Sequence, residues 1–96
     1  MPEQPNRLTG RATLVNPLGL HTRSAARIAR VARSASGAVR VKHGKLEADA
    51  TSVIEILTLA CPAGETLEFG IEDPADSDIL KTLIELVKDG FGELTR

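Results

Sequence analysis

The chain has 96 residues, with 12 Lys and Arg against 13 Asp and Glu and only two aromatic side chains, Phe69 and Phe91. That length predicts one domain, here over 8–96 after a Pro-rich polar tail at 1–7 expected to be flexible. The even charge argues against a surface built for nucleic acid or anionic lipid, and two aromatics cannot furnish a base-stacking platform. The lone cysteine, Cys61, excludes an internal disulfide, and one cysteine with two histidines is too small a set for a dedicated structural metal site. No 18-residue apolar run and no basic-then-apolar start is present, so the expectation is a soluble cytoplasmic protein, monomeric, without membrane insertion or cofactor.

Leu8–Val15 ends in alternation and predicts a first strand. Asn16-Pro17-Leu18-Gly19 reads as a turn. From Thr22 to Ser34 the period becomes helical: Ala25, Ile28, Ala29 and Ala32 form one apolar stripe, and Gly37 reads as the stop. Ala38–Lys42 and Leu46–Thr51 alternate on either side of His43-Gly44 and predict a hairpin. Ser52 caps a short apolar helix carrying Val53, Ile54, Ile56, Leu57 and Leu59, which Pro62-Ala63-Gly64 breaks. Thr66–Ile71 alternates as a fourth strand.

Asp73-Pro74 opens the last helix, with Asp76 and Asp78 suited to its N-terminal dipole and Lys88 to its C-terminal end. Leu80, Leu83, Ile84 and Val87 form its apolar stripe, and Gly90 ends it. The order β-α-β-β-α-β-α with alternating strands predicts an α+β open-faced sandwich: four mostly antiparallel strands covered on one face by three helices.

The segment Gly19–Ala26 (GLHTRSAA) sets an imidazole, His21, just before a helix start, with Arg23 two residues later. The first amides of a helix lack intrahelical acceptors and favour an anion, so the N–H groups of Thr22 and Ser24 and the Arg23 guanidinium suit a phosphoryl group on His21. A neutral ring nitrogen is a competent nucleophile. The plainer alternative is a capping or surface histidine. Ser52 likewise has a plain reading as an N-cap. Arg23, Arg27 and Arg30 lie within about a third of the helix circumference, since each residue advances about 100°. That stripe suits either a solvated face or an approach for acidic partners. His43 reads as a turn residue and Cys61 as a small buried hydrophobe. A phosphate-loop reading of Gly37–Lys45 fails, because six residues separate Gly37 from Gly44 and Leu46 stands where Ser or Thr is needed.

The pattern Asn16-Pro17-x-Gly19-Leu20-His21-x-Arg23-x-Ala25-Ala26 resembles the active-site segment of the HPr family, the histidine-containing phosphocarriers of the phosphoenolpyruvate-dependent sugar phosphotransferase system. Gly44-Lys45, Ser52-Val53-Ile54, Leu59 and Gly64 resemble its later segment around a regulatory serine, and Gly90-Phe91-Gly92-Glu93 resembles its ending. The resemblance spans roughly residues 8–93. It implies that enzyme I phosphorylates the backbone-proximal nitrogen of His21, with Arg23 beside the phosphate, and that the group passes to a histidine on a IIA domain. It further implies phosphorylation of Ser52 from ATP by HPr kinase/phosphorylase. With His21 as the relay, the Arg stripe borders it, so Arg27 and Arg30 are candidates for the partner surface, with Val53, Ile54 and Leu57 as candidates for its apolar part, some of which must fill the core.

The departures are Ser24 for the family's usual Pro, Thr22 for its Ala, Glu55 for a small residue near Ser52, and a hairpin one residue longer before Ser52. Glu93 is followed by Leu94-Thr95-Arg96. Ser24 adds a hydroxyl that suits the helix cap or the phosphate. The rivals are a nitrogen-type or dihydroxyacetone-kinase-linked carrier, and a binding module that no longer transfers phosphate. The expected HPr-like protein is a stoichiometric carrier and not a free-standing enzyme.

Overall fold

A computed structural model describes residues 8–93; the expected tail at 1–7 lies outside the described residues. The elements are β1 (Leu8–Thr13), α1 (Thr22–Ala32), β2 (Val39–His43), β3 (Leu46–Asp49), α2 (Val53–Leu57), β4 (Thr66–Ile71) and α3 (Ser77–Lys88). Short 3₁₀ turns at Pro74–Asp76 and Gly90–Gly92 flank α3. The sheet order is β1-β4-β2-β3, and every pairing is antiparallel. The architecture is the open-faced α+β sandwich that the alternation predicts.

Alternation decides which face is covered. Ala12, Val39, Val41, Ala48, Leu67, Phe69 and Ile71 point inward and are buried. They meet Ala25, Ile28, Ala29 and Ala32 of α1, Ile56 of α2, and Leu83 and Val87 of α3 in one core. Each large side chain taken out of water contributes about 1.5–3 kcal/mol. Leu80 and Ile84 are only half-buried. Their seat is Gly10 of β1, where an added Cβ would lie 3.1 Å from Ile84 Cδ1, so α3 rides close on that strand. The outer face carries opposite charges in register, Arg11 opposite Glu68 and Lys42 opposite Glu47, with Arg40 Nε donating to Glu47 at 3.0 Å.

Three local expectations change. The first strand stops at Thr13: Leu14 donates its N–H to Glu65 O and accepts from Gly64 N, so the chain turns toward the loop before β4. Gly37 is no left-handed stop; α1 ends on Arg33 in ordinary helical geometry. Gly37 is small because a Cβ there would sit 3.0 Å from Asp73 Cβ. The last helix does not open at Asp73-Pro74: those residues begin the 3₁₀ turn Pro74–Asp76, and α3 starts at Ser77, directly after Asp76. Asp76 is buried and accepts the N–H groups of Ser36 (2.8 Å) and Gly37 (2.9 Å), tying the loop after α1 to the start of α3. Asp73 is the cap of the 3₁₀ turn, accepting from Ala75 N at 2.9 Å with Pro74 at the first position.

Candidate functional site

The turn Asn16–Gly19 sets the site. Gly19 takes φ +63°, and a Cβ there would fall 2.7 Å from Cys61 O and 2.8 Å from Ala63 N. Leu20 N–H donates to Cys61 O at 2.9 Å, which fastens the turn to the loop after α2. His21 follows in extended geometry as the N-cap of α1. Its backbone N–H donates to Ser24 Oγ at 2.9 Å, and that hydroxyl has Gly19 O at 3.1 Å and His21 O at 3.2 Å as acceptors. Ser24 is fully buried. Of the two roles its hydroxyl suited, the structure gives it the cap.

The two nitrogens of the His21 ring face opposite kinds of partner. Nδ1 lies 3.4 Å from Arg23 N, a backbone donor. Nε2 lies 3.0 Å from Glu93 Oε2, a carboxylate acceptor. An amide can only donate and a carboxylate accepts, so the network assigns the neutral ring its proton on Nε2 and its lone pair on Nδ1. The His21 side chain keeps 27% exposure against 13% for Glu93, so solvent reaches the ring while its anchor is largely covered.

Glu93 is 72 residues from His21 and arrives by backbone geometry. Gly90 (φ +67°), Phe91 (φ +59°) and Gly92 (φ +75°) are consecutive left-handed residues that curl the chain back. A non-glycine residue in that region costs roughly 1–2 kcal/mol. Phe91 is fully buried, which offsets it. Asn16 Nδ2 then donates to Glu93 Oε1 at 3.0 Å and to Gly19 O at 2.8 Å. Asn16 opens the segment that resembles the family's active site and Glu93 closes the one that resembles its ending, but the sequence reading assigns neither a role in the site. The glycines on both sides of Phe91 are the signal for the curl, and nothing local to Asn16 signals its reach.

Thr22, Arg23 and Arg27 border an open hollow over His21, with Pro17 and Leu18 on one rim and Gly92 and Glu93 on the other. Arg27 leans toward the curl: a Cβ on Gly92 would lie 3.8 Å from its Nη1. Arg23, Arg27, Arg30 and Arg33 line one shallow groove with Ala26. Among the described residues Arg23, Arg27 and Arg30 pair with no acidic side chain, whereas Arg33 Nε donates to Thr51 O at 3.2 Å. The stripe thus runs from His21 to the residue before Ser52, about 15 Å at 1.5 Å per residue.

Ser52 is the N-cap of α2, accepting from Glu55 N at 3.2 Å. Before it, Asp49 accepts from Thr51 N–H (2.9 Å) and Thr51 Oγ1 (2.7 Å), and these donors hold its carboxyl below the usual carboxylate range. Glu55 Oε1 accepts the Asp49 N–H at 2.9 Å. Of the three apolar partner candidates, Ile54 is 78% exposed while Val53 and Leu57 are half-buried; Ile56 fills the core in their place.

The other polar groups lie outside this hollow. His43 sets Nδ1 2.9 Å from Leu59 O and Nε2 2.6 Å from Glu65 Oε1. Cys61 is buried, and burial together with Glu65 pushes its thiol up to about 11. Among the described residues no cluster of three or more His, Cys, Asp or Glu is arranged to hold a metal ion, and no helix is long and apolar enough to cross a membrane.

The chain is similar to known phosphocarrier proteins. The family model for the HPr component phosphorylation site of the phosphotransferase system matches residues 8–89. The chain is 33% identical over 82 residues to phosphocarrier protein HPr of Pseudomonas aeruginosa, covering 84% of this chain and 91% of that one. It is 30% identical over 81 residues to phosphocarrier protein NPr of Escherichia coli K12, covering 83% and 90%. The crystal structure of HPr-C-His from Thermoanaerobacter tengcongensis superposes with TM-score 0.84 at 25% identity, covering 92% of this chain and 99% of that one.

Proposed function

The chain belongs to the HPr family of phosphotransferase-system phosphocarriers, and from that premise we propose that Nδ1 of His21 accepts a phosphoryl group from phospho-enzyme I and yields it to a IIA domain. The observation that carries the reading is the division of labour on the ring. Glu93 holds the Nε2 proton, and the Nδ1 lone pair faces the helix amides.

In the step, the Nδ1 lone pair forms the new N–P bond while the donor's N–P bond breaks, its electron pair returning to the donor nitrogen. No proton need move. His21 becomes a phosphoimidazolium that keeps its Nε2–H on Glu93, and the carboxylate offsets the new positive charge. The amides of the first turn and the Arg23 guanidinium meet the phosphoryl oxygens. A cationic ring is a good leaving group, so the same arrangement favours onward transfer. The protein acts once per phosphoryl group and returns unchanged.

Arg23, Arg27 and Arg30, which among the described residues pair with no acidic side chain, together with exposed Ile54 suit a brief encounter with an acidic, partly apolar partner face. Ser52, next to Arg33 and Thr51, is the proposed site for ATP-dependent phosphorylation by HPr kinase/phosphorylase. A phosphate there adds negative charge to the docking patch.

The test is incubation with enzyme I and labelled phosphoenolpyruvate. One acid-labile, base-stable phosphate per chain is expected, lost on addition of a competent IIA domain. A chain that stays unlabelled overturns the carrier reading. The IIA domain that drains the label, whether sugar-specific, nitrogen-type or dihydroxyacetone-kinase-linked, identifies the branch.

A further inference from the structure

Asn16 is fully buried, yet its two polar ends are treated unequally. Its amide nitrogen donates both protons, to Gly19 O at 2.8 Å and to Glu93 Oε1 at 3.0 Å. Its Oδ1 has no hydrogen-bond partner among the described residues. An asparagine that merely shapes a turn does the reverse, accepting a nearby backbone N–H with its oxygen. A flipped amide would bring its oxygen against a carbonyl and a carboxylate, two acceptors, so the orientation is locked. The lock has one end in the rigid turn and the other on the carboxylate that holds His21 Nε2 at 3.0 Å.

We infer that Asn16 is a positioning residue that acts through Glu93 to fix the tautomer of His21, keeping the proton on Nε2 and the lone pair on Nδ1; this rests on His21 being the phosphoryl carrier. The hydrogen bonds of Asn16 go to Gly19 and Glu93 and not to the ring itself. Glu93 alone would hang on a rotatable side chain at the end of a tight curl. With one oxygen claimed by Asn16, only the other is offered to the ring.

The inference makes an unusual prediction for Glu93→Gln. Asn16 still donates, so it captures the new amide oxygen and turns the amide NH₂ toward Nε2. That nitrogen must then accept, and the ring proton moves to Nδ1. Removing Asn16 as well frees the amide to rotate and returns the proton to Nε2.

The test is long-range ¹⁵N–¹H correlation of the histidine rings in the full chain at a pH where His21 is neutral, with labelling rates from phospho-enzyme I measured alongside. Wild type should show the Nε2–H form. Glu93→Gln should show Nδ1–H and a labelling rate lower by about tenfold or more, the scale of losing a hydrogen bond to a charged group. Asn16→Ala/Glu93→Gln should recover the Nε2–H form and part of the rate. A Glu93→Gln protein that keeps Nε2–H, or a double variant that matches it, overturns the inference. Should the double variant not fold, the wild-type Asn16 side-chain NH₂ signals decide. They should shift in Glu93→Gln, and unmoved signals refute the coupling. The tautomer readout needs no phosphoryl donor, so failure of labelling in wild type sinks the carrier reading and leaves this one to be judged by the spectra.

Discussion

The molecule holds two histidines, and each sets Nε2 against a glutamate: His21 on Glu93 at 3.0 Å and His43 on Glu65 at 2.6 Å. What separates them is the partner of the other nitrogen. Nδ1 of His43 faces the Leu59 carbonyl, an acceptor, so both ring nitrogens are best served by carrying protons. The hydrogen bond to Glu65 and then that to Leu59 O raise its titration above the usual 6.5, against a smaller opposing effect of burial. Nδ1 of His21 faces an amide donor and keeps its lone pair. An acceptor opposite the second nitrogen suits a strap; a donor opposite it suits the proposed nucleophile.

The sharpest way to break this contrast is to remove each ring. His21→Ala should take up no label from enzyme I and phosphoenolpyruvate, whereas His43→Ala should label within about twofold of wild type. Labelled His21→Ala, or an unlabelled but folded His43→Ala, would reverse the assignment. Next in size is Arg23→Ala. Arg23 is exposed, so stability should hold within about 0.5 kcal/mol. Transfer should slow about 10- to 100-fold, as for losing a charge-assisted hydrogen bond. Stopped-flow transfer beside a thermal melt checks both, and unchanged kinetics would remove its role.

The smallest effect belongs to the strap. His43 titrates higher folded than unfolded, so its contribution is complete below about 6.5 and fades as pH rises through the folded value. Because Glu65 is 55% exposed, the contribution should be under about 1 kcal/mol. Melting temperature followed from pH 5 to 9 should lose this component in His43→Leu. An unchanged profile would show that the strap carries no stability.

Periodicity made much of this legible. β4 spans Thr66–Ile71 as its alternation predicts, and α1 starts at Thr22 after His21. The segment around His21 was legible because a helix start is a local event written in adjacent residues. Asn16 and Glu93 were not, being 77 residues apart and joined only through the left-handed curl of Gly90–Gly92. Asp76 stands at the helix start as its charge suits, but its long-range contacts were not legible, because only folding brings Ser36 and Gly37 within its reach. Ile54 and Ile56 could not be sorted by pattern, since a five-residue helix is too short to reveal which face is covered.

The curl at Phe91 gives the protein a separate threshold for competence. The carboxylate beside the ring hangs on three left-handed residues past α3, seated by the buried Phe91 and tied at its end to Asn16. Detachment of that last turn would disarm the ring while the sheet stays intact. On warming, transfer should fail before the fold does, and the gap between the two temperatures measures how firmly the aromatic peg is seated.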